Sequence, residues 1–187
     1  MQDTSILTGR TVPAGKSKEV FPDLVLSHLH SINVPRSDKL GGLKHSPELK
    51  IDHRCLPLLM EIKSCPSRTL DGMELDSAIR RCLTQAEDDL FQYSRVCFAH
   101  DLLMDSLVVV SAAGPYWRWI LVKRADVAKK AADFQVQSQF LERFTNVLYR
   151  ELGSEDSDKE LNALLLDTLI PFLENHHTYP MISSNQV

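Results

Sequence analysis

The sequence predicts an α/β (α+β) domain, a mixed central β-sheet flanked by helices, and three observations carry that prediction. Apolar or alternating runs bounded by turn residues, at 48–54, 56–64, 105–114 and 116–124, read as strands. The segment 71–98 repeats apolar residues at three and four and reads as a long helix between the second and third of them. Two further amphipathic stretches, roughly 126–152 and 158–174, predict two C-terminal helices.

Taken in order, residues 1–18 are polar and aperiodic and read as a flexible leader ahead of a single domain over 19–176. FPDLVLSHLHSI, residues 21–32, fits a short helix after Pro22 as well as a strand, and that choice stays open. Two prolines and a Gly-Gly pair make 33–47 a loop, with room for a short strand near 40–44. ELKIDHR, residues 48–54, alternates, and LPLLMEIKS, residues 56–64, follows a Cys-Leu-Pro connection, so the two read as an antiparallel hairpin turning near Cys55 and Leu56. That register places Leu59 opposite Asp52, Glu61 opposite Lys50 and Lys63 opposite Glu48, all on one face.

Asp71 or Asp76 is a candidate N-cap for the long helix, whose apolar stripe includes Leu75, Ile79, Leu83, Leu90 and Cys97. Ala-Gly-Pro between the next two strands predicts a second hairpin. In its later strand Trp117, Trp119 and Leu121 share one face and Arg118, Ile120 and Val122 the other. The acidic GSEDSD is read as the turn between the C-terminal helices, and 177–187 as a tail.

The 187 residues, 43% hydrophobic, suit one core of ordinary domain size. A net charge of -4 and a pI near 6.0 provide no global attraction for nucleic acid, so any such contact must be local. Cys55, Cys65, Cys82 and Cys97 form no CxxC pair and read as reduced, buried thiols. With neither a secretory signal pattern nor an apolar run of membrane-spanning length, the expected setting is intracellular, cytoplasmic or nuclear, with no membrane partner. No G-x-x-x-x-G-K-[ST], H-E-x-x-H or G-x-S-x-G motif occurs, which leaves phosphate-loop, zinc-protease and hydrolase-elbow chemistry without sequence support.

An acid at the start of one strand, Glu61-Ile62-Lys63 on the next, and then a helix carrying Gln85 resemble the PD-(D/E)xK nuclease superfamily, the fold of many restriction enzymes and RecB-like nucleases. The resemblance covers residues 45–123. It implies a restriction-endonuclease-like core and metal-dependent hydrolysis of phosphodiester bonds in DNA or RNA. Glu61 with Asp52 or Glu48 would hold Mg or Mn, the Ile62 carbonyl would add a ligand, Lys63 would orient the attacking water, and Gln85 would help place the lysine or a phosphate. Such chemistry has a physical logic, because a hard divalent cation on carboxylates both activates water and neutralises a crowded phosphate.

Two positions depart from the family pattern. Its usual Pro-Asp is Pro47-Glu48 here, while the literal Pro22-Asp23 lies far upstream, so Asp52 or Glu48 is favoured as the first acid. Four residues after Gln85, where RecB-like members carry tyrosine, stands Asp89. Arg80, Arg81, Arg118, Lys123 and Arg124 are the candidate nucleic-acid-binding cations. A homodimer is open by analogy with nucleases of this fold that pair. The competing reading is a catalytically inactive nuclease-like binding or interaction module. In the plainest case Glu61 and Lys63 form exposed cross-strand ion pairs, each worth a few tenths to about 1 kcal/mol.

Overall fold

The structure, a computed structural model, describes residues 22–34, 48–67, 69–127 and 133–176. The expected leader 1–18, the short strand at 40–44 and the tail 177–187 lie outside the described residues.

The open choice at 21–32 resolves as a strand, β1, Leu24–Val34. The expected hairpin over 48–64 does not form: Glu48–Lys63 is one continuous strand, β2, antiparallel to β1. Pro57 explains the misreading. It lacks an N–H for a ladder, and in a sequence it punctuates; here it lies where the pairing slips, Leu26 facing Leu58 but His28 facing Cys55. An irregularity absorbs the proline that the hairpin reading spent on a turn. The first half of β2 pairs with β1 alone, since its contact with the next strand begins at Leu58.

After β2 comes the long helix α1, Gly72–His100, and then β3, Ser106–Ala113, which lies parallel to β2 with Glu61 beside Ser111 and Lys63 beside Ala113. β4, Tyr116–Lys123, returns antiparallel to β3, making the second hairpin that Ala-Gly-Pro predicted. Gly114 in its turn has φ +58, and a Cβ there would meet the Cys65 side chain at 2.6 Å. Only glycine fits that conformation and that approach. Its N–H reaches the Lys63 carbonyl at 3.2 Å, tying the turn to the end of β2.

The first C-terminal helix, expected over 126–152, is described as α2, Arg124–Val127, and α3, Asp133–Thr145. Its predicted end is instead a strand, β5, Arg150–Glu151, paired with Tyr116 and Trp117. Thr145, Asn146 and Val147 favour helix weakly, and Tyr149 packs edge-on against Tyr116 with ring centres 5.8 Å apart. The GSEDSD stretch begins a helix rather than separating two. Ser154 caps α4, Glu155–Ala163, by accepting the Ser157 N–H at 3.2 Å, and Glu155, Asp156 and Asp158 suit its positive end. A π-helical stretch, Leu164–Leu169, and α5, Ile170–His176, complete it.

The result is a five-stranded mixed sheet in the order β1-β2-β3-β4-β5 with helices on both faces. α1 and α3 cover one face through Leu59, Leu90, Phe91, Val109, Phe140 and Phe144. On the other, Leu164 and Leu169 pack on Leu58, Val110 and Trp117. Trp117 Nε1 donates to Ser157 Oγ at 3.0 Å and Trp119 Nε1 to Glu160 Oε1 at 2.8 Å, which explains how both indoles are accommodated there. Toward β1 this second layer leaves an apolar groove of about 490 Å³, lined by Leu24, Leu26, Met60, Ile62, Leu161 and Leu165 among others. No helix among the described residues is long and apolar enough to cross a membrane.

Candidate active site at the end of strand β2

Parallel pairing with β3 and alternation along β2 aim Leu59, Glu61 and Lys63 at α1. Leu59 is fully buried in the core beneath the helix, and Glu61, one period on, is only 6% exposed. A carboxylate so enclosed requires partners. One of its oxygens has one: Lys63 Nζ donates to Glu61 Oε1 at 2.7 Å. The other, Oε2, is buried without a hydrogen-bond partner among the described residues.

Lys63 Nζ also donates to Asp89 Oδ2 of α1 at 2.5 Å. Burial alone would lower the lysine pKa, but hydrogen bonds and charge from Asp89 and Glu61 outweigh it and hold the value above that of a free lysine. Lys63 is therefore an ammonium at neutral pH, a donor and a charge rather than a base. Tyr93, one helical turn beyond Asp89, is buried. Burial foremost, then the negative charge of Glu61, Asp89 and Asp23, and a hydrogen bond to Glu61 push its phenol well up, so it stays protonated.

Asp23 completes the group. Leu24 faces Met60 in the antiparallel ladder, so the residue heading β1 comes abreast of the end of β2. There Asp23 Oδ2 accepts the Ile62 backbone N–H at 2.7 Å. Three carboxylates against one ammonium leave the group with a formal charge of two negative.

The sequence-favoured first acids are elsewhere. Glu48 and Asp52 share strand β2 with Glu61, thirteen and nine residues before it. At about 3.3 Å per residue they lie roughly 43 and roughly 30 Å away along the strand, too far to share an ion with it. Gln85 is exposed on α1, one turn before Asp89. The literal Pro22-Asp23, passed over because it lies far upstream, is the acid that pairing of β1 with β2 brings to Glu61. Asp89 stood at the position where the family pattern has tyrosine, and its spacing from Tyr93 was the available clue.

The five candidate cations do not form one surface. Arg118 is buried, donating through Nε and Nη2 to Glu87 at 2.7 and 3.0 Å, and Ser111 donates to the same carboxylate at 3.0 Å. Glu87 escaped the sequence reading although it lies on the apolar stripe of α1; burial pushes its pKa up against the pull of Arg118. Arg124 donates to the carbonyls of Phe98, Asp101 and Met104 at the end of α1 and stacks on Phe98. Arg80 is exposed but pairs with Asp76 at 2.8 Å and lies over the Tyr149 ring. Arg81 and Lys123 are exposed, on different elements.

Among the described residues no three His, Cys, Asp or Glu side chains are gathered closely enough to hold a metal ion. The end of β2 carries two carboxylates, the enclosed Glu61 and, on the Ile62 N–H, Asp23. Comparison with protein-family models, curated proteins and solved structures finds no match to this chain.

Proposed function

We propose that this protein is a metal-dependent nuclease that hydrolyses phosphodiester bonds in DNA or RNA, with a restriction-endonuclease-like core and its reaction centre at the end of β2. One observation carries the reading: Asp23, just before β1, accepts the N–H of Ile62, which stands between Glu61 and Lys63 at the end of β2, where Lys63 bonds the enclosed Glu61 carboxylate. An acid opening one strand and Glu-x-Lys closing its antiparallel neighbour is the arrangement that the family resemblance implies, with Pro22-Asp23 in the first role instead of Glu48 or Asp52.

In this reading Glu61 and Asp23 hold Mg or Mn, which when bound supplies activation of water and neutralisation of phosphate charge. The chain's own residues do the rest. Lys63, kept cationic, donates to the attacking water or to a phosphate oxygen, while Asp89 holds the ammonium. Tyr93 keeps its proton and hydrogen-bonds Glu61. The test incubates purified protein with single- and double-stranded DNA and RNA, with Mg or Mn, beside Glu61→Ala, Lys63→Ala and Asp23→Ala variants. Cleavage that needs the cation and is lost in all three supports the proposal; cleavage that survives in Glu61→Ala removes it.

A second reading, a nuclease-like module that binds without cutting, is favoured by the internal use of its cations. Arg118 and Arg124 are consumed within the fold, and Lys63 is already bonded to two carboxylates. Binding without cleavage in the same assay selects it.

A further inference from the structure

We propose that the outer edge of β1 is a self-association surface: β1 of a second copy of this chain adds to it in antiparallel order, about a two-fold axis at Leu29, so that one sheet runs through both copies. β1 ends the sheet, and its ladder among the described residues is with β2. Its other edge presents a row of N–H and C=O groups to a further strand.

Proteins commonly blunt such an edge with a short strand, a charge, a proline or a bulge. β1 uses none of these. It is 11 residues long, and LVLSHLHSINV holds no Asp, Glu, Lys, Arg or Pro. Its ladder has two irregularities, but in each the extra residue stands on β2: the step from Leu26 to His28 matches the longer one from Leu58 to Cys55, and that from His30 to Ser31 matches His53 to Ile51. β1 itself keeps the even spacing that pairing requires. Leu24, Leu26 and Leu29 are 48%, 40% and 52% exposed.

The strand's own sequence names the occupant. LVLSHLHSINV reads nearly the same from either end: about Leu29 stand His28 and His30, Ser27 and Ser31, Leu26 and Ile32, Leu24 and Val34. Two identical strands paired antiparallel with Leu29 on the dyad set Leu26 against the partner's Ile32 and Leu24 against the partner's Val34. Only Val25 meets an unlike residue, the partner's Asn33. Leu24 and Leu26 line the apolar groove, so these aliphatic pairs extend its floor across the dyad. A slip of one residue would oppose Leu26 with Ser31 or Asn33 instead.

The test is sedimentation equilibrium of the full chain at low salt, over a series reaching about 100 μM, with circular dichroism and thermal melts as fold controls. Wild type is expected to be a monomer–dimer mixture with a Kd of about 1–100 μM, as suits a small interface. Ser27→Lys/Ser31→Lys opposes like charges at two places and should raise the Kd at least about tenfold. Ser27→Lys/Ser31→Glu opposes unlike charges in the same register and should stay within about threefold of wild type. A second readout does not depend on the lysines. In a Cys65→Ser background, Leu29→Cys should be joined into dimers by a thiol cross-linker shorter than the roughly 13 Å that this register puts between positions 27 of the two copies, whereas Ser27→Cys should not. Wild-type chain that stays monomeric at about 100 μM, equal Kd values in wild type and the double-lysine variant, equal losses in the two charge variants, or equal cross-linking at positions 27 and 29 overturns the proposal.

Discussion

Glu61 concentrates the question of function in one side chain, because a carboxylate 6% exposed with one oxygen unpartnered is an arrangement that stability does not select. If it holds a catalytic cation, Glu61→Gln should lower cleavage by on the order of a hundredfold or more while the melting temperature holds or rises, and a steady-state assay beside a thermal melt separates the two. Activity and stability moving down together would mark a structural acid. The thiols are a second test at this scale. Burial raises Cys55 and Cys97 to about 12, with Asp101 adding to both, and both side chains are enclosed. A thiol reagent at neutral pH should therefore modify the exposed Cys65 first and leave Cys55 and Cys97 intact until the protein unfolds, as peptide mass mapping would record. The expectation of buried thiols holds for Cys55 and Cys97 but not for the exposed Cys65 or the half-buried Cys82; Glu61 and Lys63 were legible as a pair. Asp23 was not, because only strand pairing shows that a residue far upstream lies beside Ile62.

Between elements, the Glu87–Arg118 pair joins α1 to β4 on the sheet face they share, with Ser111 of β3 as a third member and Phe144 under the guanidinium at 5.6 Å. Removing one partner strands the other charge in the core, so Glu87→Ala should cost about 3–5 kcal/mol in denaturant unfolding. Replacing both with apolar residues of similar volume should cost far less, and a double variant as unstable as the single one would show that the pair itself stabilises the fold. Gly114 joins other elements: its turn closes β3 on β4 and bonds to the end of β2. Gly114→Ala should lower stability by roughly 1–2 kcal/mol from backbone strain alone, with the contact to Cys65 adding to it. Local patterns identified these strands and the long helix, because alternation and three-four spacing are properties of consecutive residues. They failed where partners decide. Pro57 looked like a turn because nothing in the local sequence announces a slip in the β1 ladder, and Arg150–Glu151 looked helical because its strand exists only against Tyr116 and Trp117.

For the whole molecule, pH offers a probe of how the N-terminal turns of α1 are joined to the β4–β5 corner. Tyr149 donates its hydroxyl to Asp76 at 2.7 Å, and Arg80 binds the same carboxylate. Burial first, then the hydrogen bond to Asp76 and its charge, raise the Tyr149 phenol to about 12, while Arg80 and then Tyr149 lower the Asp76 carboxyl. The two shifts act at opposite ends of the pH range. Between the ordinary tyrosine value near 10 and about 12, the unfolded chain has released a proton that the native state retains, so the unfolded state binds fewer protons and stability falls as pH rises. For Asp76 the unfolded chain takes up its proton first as pH drops, so its contribution is present at neutral pH and is lost as the solution is acidified through the lowered value. Tyr149→Phe should therefore flatten the alkaline limb between pH 10 and 12. It should also weaken the acid limb in part, because Arg80 still holds Asp76. Asp76→Asn should remove that acid dependence and bring the Tyr149 titration closer to 10, as ultraviolet absorbance of tyrosinate would follow. Unchanged limbs in both variants would mean that this corner opens independently of the core, and that α1 is held on the sheet by its buried face, from Ile79 and Leu83 to Leu90 and Phe91, and by Glu87.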